Sequence, residues 1–598
     1  MSLTQQQLEV VKATEGHYVV LAGPGCGKTH TITEKILYIF KKEIVPEPYG
    51  LLALTFTDAA ARIMRARLRV KGFSQWDRVW VGTFHSFSRY ILGCYGSDIG
   101  ISEDFEIIEL DKRNLILDNI IKIYRIGLSS SNLGGLFDSL KRRGIYPNQG
   151  DENLSPEIRE AFCEYNQILR KENLLDFGDL VALAVESLQK SVFAKKFTNF
   201  FRYVIVDEFQ DTDDQQLEMI RLLAKPAIGS TIVGDDDQSI FGWRGAVREN
   251  IYKIKKLLGA KEIILSHNFR SDEVIVEAAQ KIIGFDPNRR DKDITAVSEE
   301  RGHLYRREFD DPEEEAKKVV EWINKALSVV DDPGDIAIIA RTHYRTAWIK
   351  QEMNEKSVRW FDRSRLNFQD SWETALALAI IELAHEPSSS LYLHRVLSAI
   401  EEGGLAFRLG EEDALDLALR IRDNLRSADL KVHSNKLDEI LDYTILEDIV
   451  KNASAGTSDA KQMITNLKRM SQDVSDEAKQ HELGLLQVIN RFSGRSAIQI
   501  ITGHQSKGTE FDVVFFIGLE DDVLPDYRTH NDDEKLAEER RIFYVGLTRA
   551  RKAAYLSSVA NRPMRGWVKT ARPSRFIGHI PPMNISVKCL CNINTENG

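Results

Sequence analysis

Between Ala22 and Thr29 the chain reads AGPGCGKT, directly after the apolar run YVVL and directly before a helical pattern. Glycines at Gly23, Gly25 and Gly27 allow the main chain to turn tightly enough for consecutive N–H groups to face one polyanion, with a helix N-terminus behind them. Lys28 is then expected at the β- and γ-phosphates of a nucleoside triphosphate, and Thr29 offers its hydroxyl to Mg2+. Ala22 replaces the first glycine of the strict pattern and still leaves room for the turn. A second block, YVIVDEFQD, ends a hydrophobic strand in two acids, which places Asp207 near Mg2+ and Glu208 near an attacking water as general base. Gln238, in VGDDDQSI at the end of a further strand, can hydrogen-bond a γ-phosphate without changing its charge, the behaviour of a sensor. Positive charge is also needed beyond the γ-phosphate, and Arg270 of SHNFRS and Arg549 of VGLTRAR are the candidates.

Such groups must be held by rigid elements. Short β-branched runs bounded by turn residues recur: YVVLAG, LLALTF, VWVGTF, YVIVDE and STIVGD in the first half, then EIILSH, DIAIIA, AIQIIT, VVFFIG and AAYLSS in the second. They read as buried parallel strands, and two long helical stretches interrupt them. The expected organisation is α/β: a first core over residues 1–89 and 197–262 with a helical insert at 90–196, then a second core over 263–356 and 495–580 with a helical insert at 357–494, and a tail at 581–598. Insertions of this size suit the loops of a doubly wound sheet, where functional groups collect at the carboxyl ends of strands. No internal repeat of fixed period and no low-complexity segment is present.

The chain of 598 residues is 43% hydrophobic and 28% charged, an ordinary globular composition. It has no basic-then-apolar leader and no apolar stretch of membrane-spanning length, so an intracellular protein without a membrane partner is expected. Five cysteines, Cys26, Cys94, Cys163, Cys589 and Cys591, are too few and scattered for a disulfide framework or a four-ligand zinc site. A formal net charge of −10 argues against binding of nucleic acid by bulk charge, so any such path must be local. Two basic stretches qualify: Arg62, Arg65, Arg67, Arg69 and Lys71, and Arg562, Arg565, Lys569, Arg572 and Arg575.

The ordered series AGPGCGKT, TFTDAAA, GTFHSF, VDEFQDT, VGDDDQSIFGWRGA, NFRS, SKGTEFD and ERRIFYVGLTRARK resembles the UvrD/Rep/PcrA group of superfamily 1 DNA helicases over about residues 3–560. The resemblance implies two RecA-like motor domains with ATP in the cleft between them, 3′ to 5′ movement on single-stranded DNA, and a helical insert in each motor domain. It also implies that Gln7 reads adenine, that Phe269 stacks on it and that Glu510 contacts the ribose. Thr4 stands where the family commonly has Asn, and His30 follows Thr29 where an Arg often covers the other adenine face.

The same resemblance places Phe56, Phe241, Trp243 and Arg244 on the DNA track, where aromatic faces and cations hold single strands without reading sequence. Thr83, His85 and His504 resemble further DNA-facing or coupling positions. Closure on ATP would bring Arg270 and Arg549 from the second motor domain onto the γ-phosphate held by the first, and bases would pass between aromatic pockets. The expected function is an ATP-dependent DNA helicase or translocase in repair, recombination or replication, cytoplasmic and nucleoid-associated, acting on single strands and single/double-strand junctions. The alternative is an ATP-gated single-strand-binding subunit of a larger repair or phage-defence complex. No spaced acidic motifs follow the LTRAR block, which disfavours a fused nuclease. The resemblance also implies a glycine-containing duplex grip in the second insert; there the acids Glu401, Glu402, Glu411, Glu412 and Asp413 crowd Gly403 and Gly404, offset by Arg408, so weak duplex grip and a need for a protein partner or several copies in unwinding are expected; the alternative is that Arg420, Arg422 and Arg426 rebuild the grip on another face.

Overall fold

A computed structural model describes residues 3–146, 154–287, 289–362, 372–385, 388, 390–402, 416–423, 497–564 and 567–580. The chain divides into two compact units, Met1–Arg301 with Asn531–Tyr544, and Gly302–His530 with Val545–Gly598.

The first unit is built on strands β1 (Gly16–Ala22), β2 (Gly50–Thr55), β3 (Val79–Thr83), β4 (Phe201–Val206), β5 (Gly229–Gly234) and β6 (Lys261–Leu265), in the order β3-β2-β4-β5-β1-β6. Every pairing is parallel. The run LLAL in β2 is continuous in hydrophobicity because both faces are covered: Leu52 and Leu54 pack into one apolar cluster, Leu51 and Ala53 into another on the opposite face. The run EIILSH, expected in the second half, instead supplies β6 and pairs with β1 in register Tyr18↔Lys261 to Ala22↔Leu265. Two short 3-10 turns, Asp236–Gln238 and Gly242–Arg244, and the helix Asn250–Leu258, ended by left-handed Gly259, separate it from β5, a crossover that returns the chain parallel to the sheet. β1 is thereby flanked on both sides, which fixes the segment that leads into the glycine-rich loop.

Between β3 and β4 lie the helices Phe84–Tyr95, Leu110–Tyr124, Ser130–Arg142, Pro156–Lys171, Phe177–Lys190 and Val192–Thr198. Side chains of Ser129, Ser155, Asp176 and Ser191 cap four of them, accepting from backbone N–H groups of the first turn. This insert has its own apolar centre around Phe137, Phe162, Tyr165 and Leu169. Beside that centre the Lys141 ammonium is wholly buried, 2.7 Å from Asp176 and 3.0 Å from Asp179.

The second unit repeats the plan. Strands β7 (His303–Phe309), β8 (Ile336–Ala340), β9 (Trp360–Asp362), β10 (Ile498–Thr502), β11 (Phe511–Phe516) and β12 (Ala550–Val559) form a sheet of order β7-β12-β11-β8-β10-β9, again all parallel. Two all-parallel six-stranded sheets give the α/β class of paired RecA-like domains. Helices Trp372–His385 and Ser390–Glu402 follow β9. The acidic turn around Gly403 and Gly404, with Arg408, Glu411, Glu412 and Asp413, lies outside the described residues, as do Arg426, Arg565, Cys589 and Cys591. Among the described residues no helix is long and apolar enough to cross a membrane.

Candidate nucleotide site and nucleic-acid surface

β1 ends at Ala22, and the helix Lys28–Lys41 begins after Gly27, whose φ of 76° serves as the N-cap. Gly25 is also left-handed, at φ 68°. Neither glycine could carry a side chain: a Cβ on Gly25 would lie 2.6 Å from Arg270 Cβ, and one on Gly27 would lie 2.7 Å from Gln7 Nε2. Lys28 Nζ rests 3.4 Å from the carbonyls of Ala22 and Gly23, so the ammonium lies along the loop that its role requires.

Two strands over, the carboxyl end of β4 presents Asp207 and Glu208. Thr29 Oγ1 lies 3.5 Å from Asp207 Oδ2, which brings the two expected Mg2+ ligands together. Asp207 is buried, and burial, reinforced by the charge of Glu208 and opposed by Lys28, pushes its carboxyl up to about 7. A carboxyl so short of positive charge, beside a hydroxyl donor, suits a divalent cation. Glu208 sits at φ 54°, a left-handed conformation uncommon for a residue with a side chain. Gln210 Nε2 donates to Glu208 Oε2 at 2.5 Å, and Gln210 Oε1 accepts from Asp235 N at 2.9 Å. Gln238 Nε2 donates to Asp235 Oδ2 at 2.5 Å.

Phe269 and Arg270 belong to the first unit together with the loop they adjoin. Phe269 N donates to Gly25 O, Asn268 Nδ2 donates to Pro24 O at 2.8 Å, and Asn268 Oδ1 accepts from Arg270 N at 2.8 Å. Asn268 therefore clips this segment to the phosphate loop, a function that SHNFRS does not advertise. Gln6 does the same for the start of the chain, accepting from Ser266 N and bonding His267 Nδ1. Gln7 and Thr4 form a reciprocal capping box on the helix Gln5–Lys12, and Gln7 Nε2 donates to Cys26 O at 3.2 Å. Thr4 thus does the capping an Asn would do. His30 is half-buried, and burial lowers its pKa.

Glu510 and Arg549 lie in the second unit. Arg551 Nη1 is 3.5 Å from Glu510 Oε1. Arg549 is buried at 1% exposure; its guanidinium donates to the carbonyls of Val545 at 2.8 Å and Thr509 at 3.1 Å and to Thr548 Oγ1.

The expected DNA aromatics converge. The Phe56 and Phe241 rings are stacked on one another, with centroids 5.7 Å apart and planes inclined by 15°. Arg244 lies 4.7 Å from the Trp243 ring and 5.2 Å from that of Phe241. Trp243 itself is 64% exposed. Left-handed Gly245 follows, its N–H donating to Gly242 O, so the turn is tight enough to place two rings and a cation on one surface. Thr83 is buried and caps the helix Phe84–Tyr95 in a box with Ser86. The His85 ring, its pKa lowered by burial, lies 6.1 Å from Phe177. His504 is half-buried in the turn after β10.

Three cations of the C-terminal basic stretch, Arg562, Lys569 and Arg575, meet acids within the fold. Arg562 is buried against Glu520 at 2.7 Å and Glu315 at 3.8 Å, Lys569 pairs with Asp522 at 2.9 Å, and Arg575 pairs with Asp521 at 3.0 Å. These acids come from other parts of the fold and were invisible to local charge counting.

A glycine loop between a parallel strand and a helix, with a hydroxyl and a buried acid at its mouth, defines a phosphate-loop nucleotide-binding protein with paired RecA-like units. Residues 3–258 match the UvrD/REP helicase N-terminal domain, and residues 263–481 and 421–561 match the UvrD-like helicase C-terminal domain. The chain belongs to the UvrD/REP helicase family. It is similar to the ATP-dependent DNA helicase PcrA of Staphylococcus aureus strain Mu50, 26% identical over 629 residues covering 97% of this chain and 86% of the relative. The PcrA of Staphylococcus epidermidis strain RP62A is 26% identical over 630 residues with the same coverage.

Proposed function

We propose that this protein is an ATP-dependent DNA helicase that moves 3′ to 5′ along single-stranded DNA and engages single/double-strand junctions, in repair, recombination or replication. The observation that carries the reading is the meeting of Thr29 and Asp207 at 3.5 Å beside Glu208, at the mouth of a phosphate loop whose family is that of helicases. Lys28 and the loop N–H groups bind and orient the triphosphate; Thr29 and Asp207 would hold Mg2+. When bound there, Mg2+ would supply neutralisation of the triphosphate charge.

Glu208 takes the proton from the attacking water, in an orientation set by its left-handed backbone and the bond from Gln210. Gln238 reads the γ-phosphate, and Arg270, adjacent to Gly25, supplies positive charge to it. Arg549 is the second arginine of hydrolysis, a role that rests on its motif. Gln7 and Phe269 contact adenine and Glu510 the ribose. Phe56, Phe241, Trp243 and Arg244, with Thr83, His85 and His504, form the single-strand track.

The test has two arms. ATPase rate is measured without nucleic acid and with single-stranded DNA, duplex DNA or RNA, and translocation is followed on single strands labelled at either end. Strongest stimulation by single-stranded DNA and arrival at the 5′ end are expected. A rate indifferent to DNA excludes the motor, and arrival at the 3′ end reverses the polarity.

A further inference from the structure

Asp235, Asp236 and Asp237 are consecutive and almost wholly buried. Three adjacent carboxylates out of water repel one another, and the cost is bearable only with cations in contact. One carboxylate oxygen from each lies within 4.8 Å of the others, a spacing suited to a cation. That cation is the Lys292 ammonium, 2.5 Å from Asp235 Oδ1, 2.6 Å from Asp236 Oδ1 and 2.8 Å from Asp237 Oδ2. An ammonium has three protons and no acceptor, so one lysine matches the three oxygens.

An outer ring completes the balance. Arg289 pairs with Asp237 at 3.1 Å, Arg248 with Asp236 at 3.4 Å and Asp286 at 3.2 Å, and Arg541 with Asp286 at 3.0 Å. Four acids thus face four cations in the interior of one unit. Arg541 also donates to the carbonyl of Ser239, the residue after Gln238, at 2.7 Å.

The cluster leads to the reaction centre through Asp235. One of its oxygens takes Lys292; the other takes the Gln238 amide at 2.5 Å. Its backbone N–H goes to Gln210, which holds Glu208. The residues read above as general base and phosphate sensor are therefore joined by two side chains, and Lys292 is the fixed point behind them.

We propose that Lys292 is a positioning residue for ATP hydrolysis, anchoring Asp235 so that Gln238 and Glu208 keep a shared geometry. This rests on the reading of Gln238 as sensor. A planar guanidinium cannot direct three donors to the apex of a three-carboxylate pyramid, so arginine is no substitute.

The test uses the full chain and the variants Lys292→Met, Asp235→Asn, Gln238→Ala and Gln238→Ala/Lys292→Met. Sites are counted by titration with a fluorescent methylanthraniloyl-ATP, so that turnover is expressed per nucleotide-binding site and a loss of folded protein drops out. Lys292→Met is expected to lower single-strand-stimulated kcat by about tenfold or more with the KM for ATP within about threefold, and the double variant to be no slower than Gln238→Ala alone. Wild-type kcat per site in Lys292→Met, or losses that multiply in the double variant, overturns the proposal. If Lys292→Met does not fold, Asp235→Asn decides: it keeps the volume, leaves Lys292 between two carboxylates, and should show the same kcat loss, whereas wild-type kcat overturns the idea. A Gln238→Ala variant with full activity instead refutes the sensor reading on which it rests.

Discussion

The Phe56–Phe241 stack bears on how DNA is gripped. If Phe241 is a base platform, a base entering between the two rings must part a stacked pair already 5.7 Å apart. Stacking of a base on an aromatic side chain contributes roughly 1–3 kcal/mol, and an aromatic pair is worth about 0.5–1.5 kcal/mol beyond its buried area. The difference leaves about 1 kcal/mol to Phe241, so Phe241→Ala should weaken single-strand binding about fivefold. Trp243 is 64% exposed and carries the Arg244 guanidinium 4.7 Å from its ring. At that exposure a base can meet its ring without parting the Phe56–Phe241 stack, so Trp243→Ala should cost about 2 kcal/mol, near thirtyfold. The assay is fluorescence anisotropy of a labelled oligothymidylate at fixed salt without nucleotide, with the KM for ATP in the absence of DNA as control. A Phe241→Ala loss equal to or larger than that of Trp243→Ala refutes the reasoning that the ring pair opposes base entry. No loss in either removes both from the track.

Lys28→Ala should lose both ATP binding and turnover, whereas Glu208→Gln should stop turnover yet bind ATP, because the loop and Asp207 survive; equal loss of nucleotide binding, measured by fluorescence titration, would contradict these roles. Lys141→Met removes the ammonium shared by two buried carboxylates, leaving Asp176 with Arg113 at 4.0 Å and Asp179 with Arg170 at 3.6 Å, and should destabilise the protein by roughly 3 kcal/mol in urea unfolding, partly restored by adding Asp179→Asn; a change under about 1 kcal/mol would contradict the buried pairing. Asp213, whose side chain caps the helix Asp214–Ala224, has its pKa raised by burial to about 6. The folded state therefore holds a proton that the unfolded state has released between about pH 4 and 6. Stability from this group falls as pH rises through that window, by at most roughly 3 kcal/mol, and Asp213→Asn should flatten the profile in unfolding measured at several pH values. Translocation and unwinding of a 3′-tailed duplex are compared in single turnover with a trap; efficient unwinding of long duplex by lone monomers would rule out the weak grip expected from the acidic turn near Gly403.

The placement of the glycine loop, Asp207 and Glu208 was legible because each lies in one short block and the geometry is local: a strand end, a turn, a helix start. The sixth strand was not, since KEIIL is equally a strand in either half, and only its pairing with β1 assigns it. Charge was the least legible quantity. Arg562, Lys569 and Arg575 look like an uncontested basic run, but Glu315 and the acids at 520–522 meet them in space. Lys292 stands in DKDIT with nothing to mark it, yet it binds a loop more than fifty positions earlier. Partners that distant in sequence leave no periodicity to read, and only the polar runs at each end, DDD and NRRDK, hint that charge must be answered somewhere.

That neutralisation constrains the kind of grip available to a chain of net charge −10. Phosphate contacts by many exposed cations would bind tightly, release counterions and make each release slow. Here Arg562, Lys569 and Arg575 are paired with acids within the fold, while two rings and one guanidinium cluster on the turn after Gln238. Stacking offers a contact worth a few kcal/mol per base that is indifferent to sequence and is broken by a small shift of one loop. That turn begins at Phe241, three residues after Gln238, and is tied to it through continuous backbone, so with the proposed roles a change at the γ-phosphate would have a short mechanical path to the base. For the translocase proposed above, which would let go of DNA once per ATP, such contacts serve better than a dense array of phosphate-binding cations.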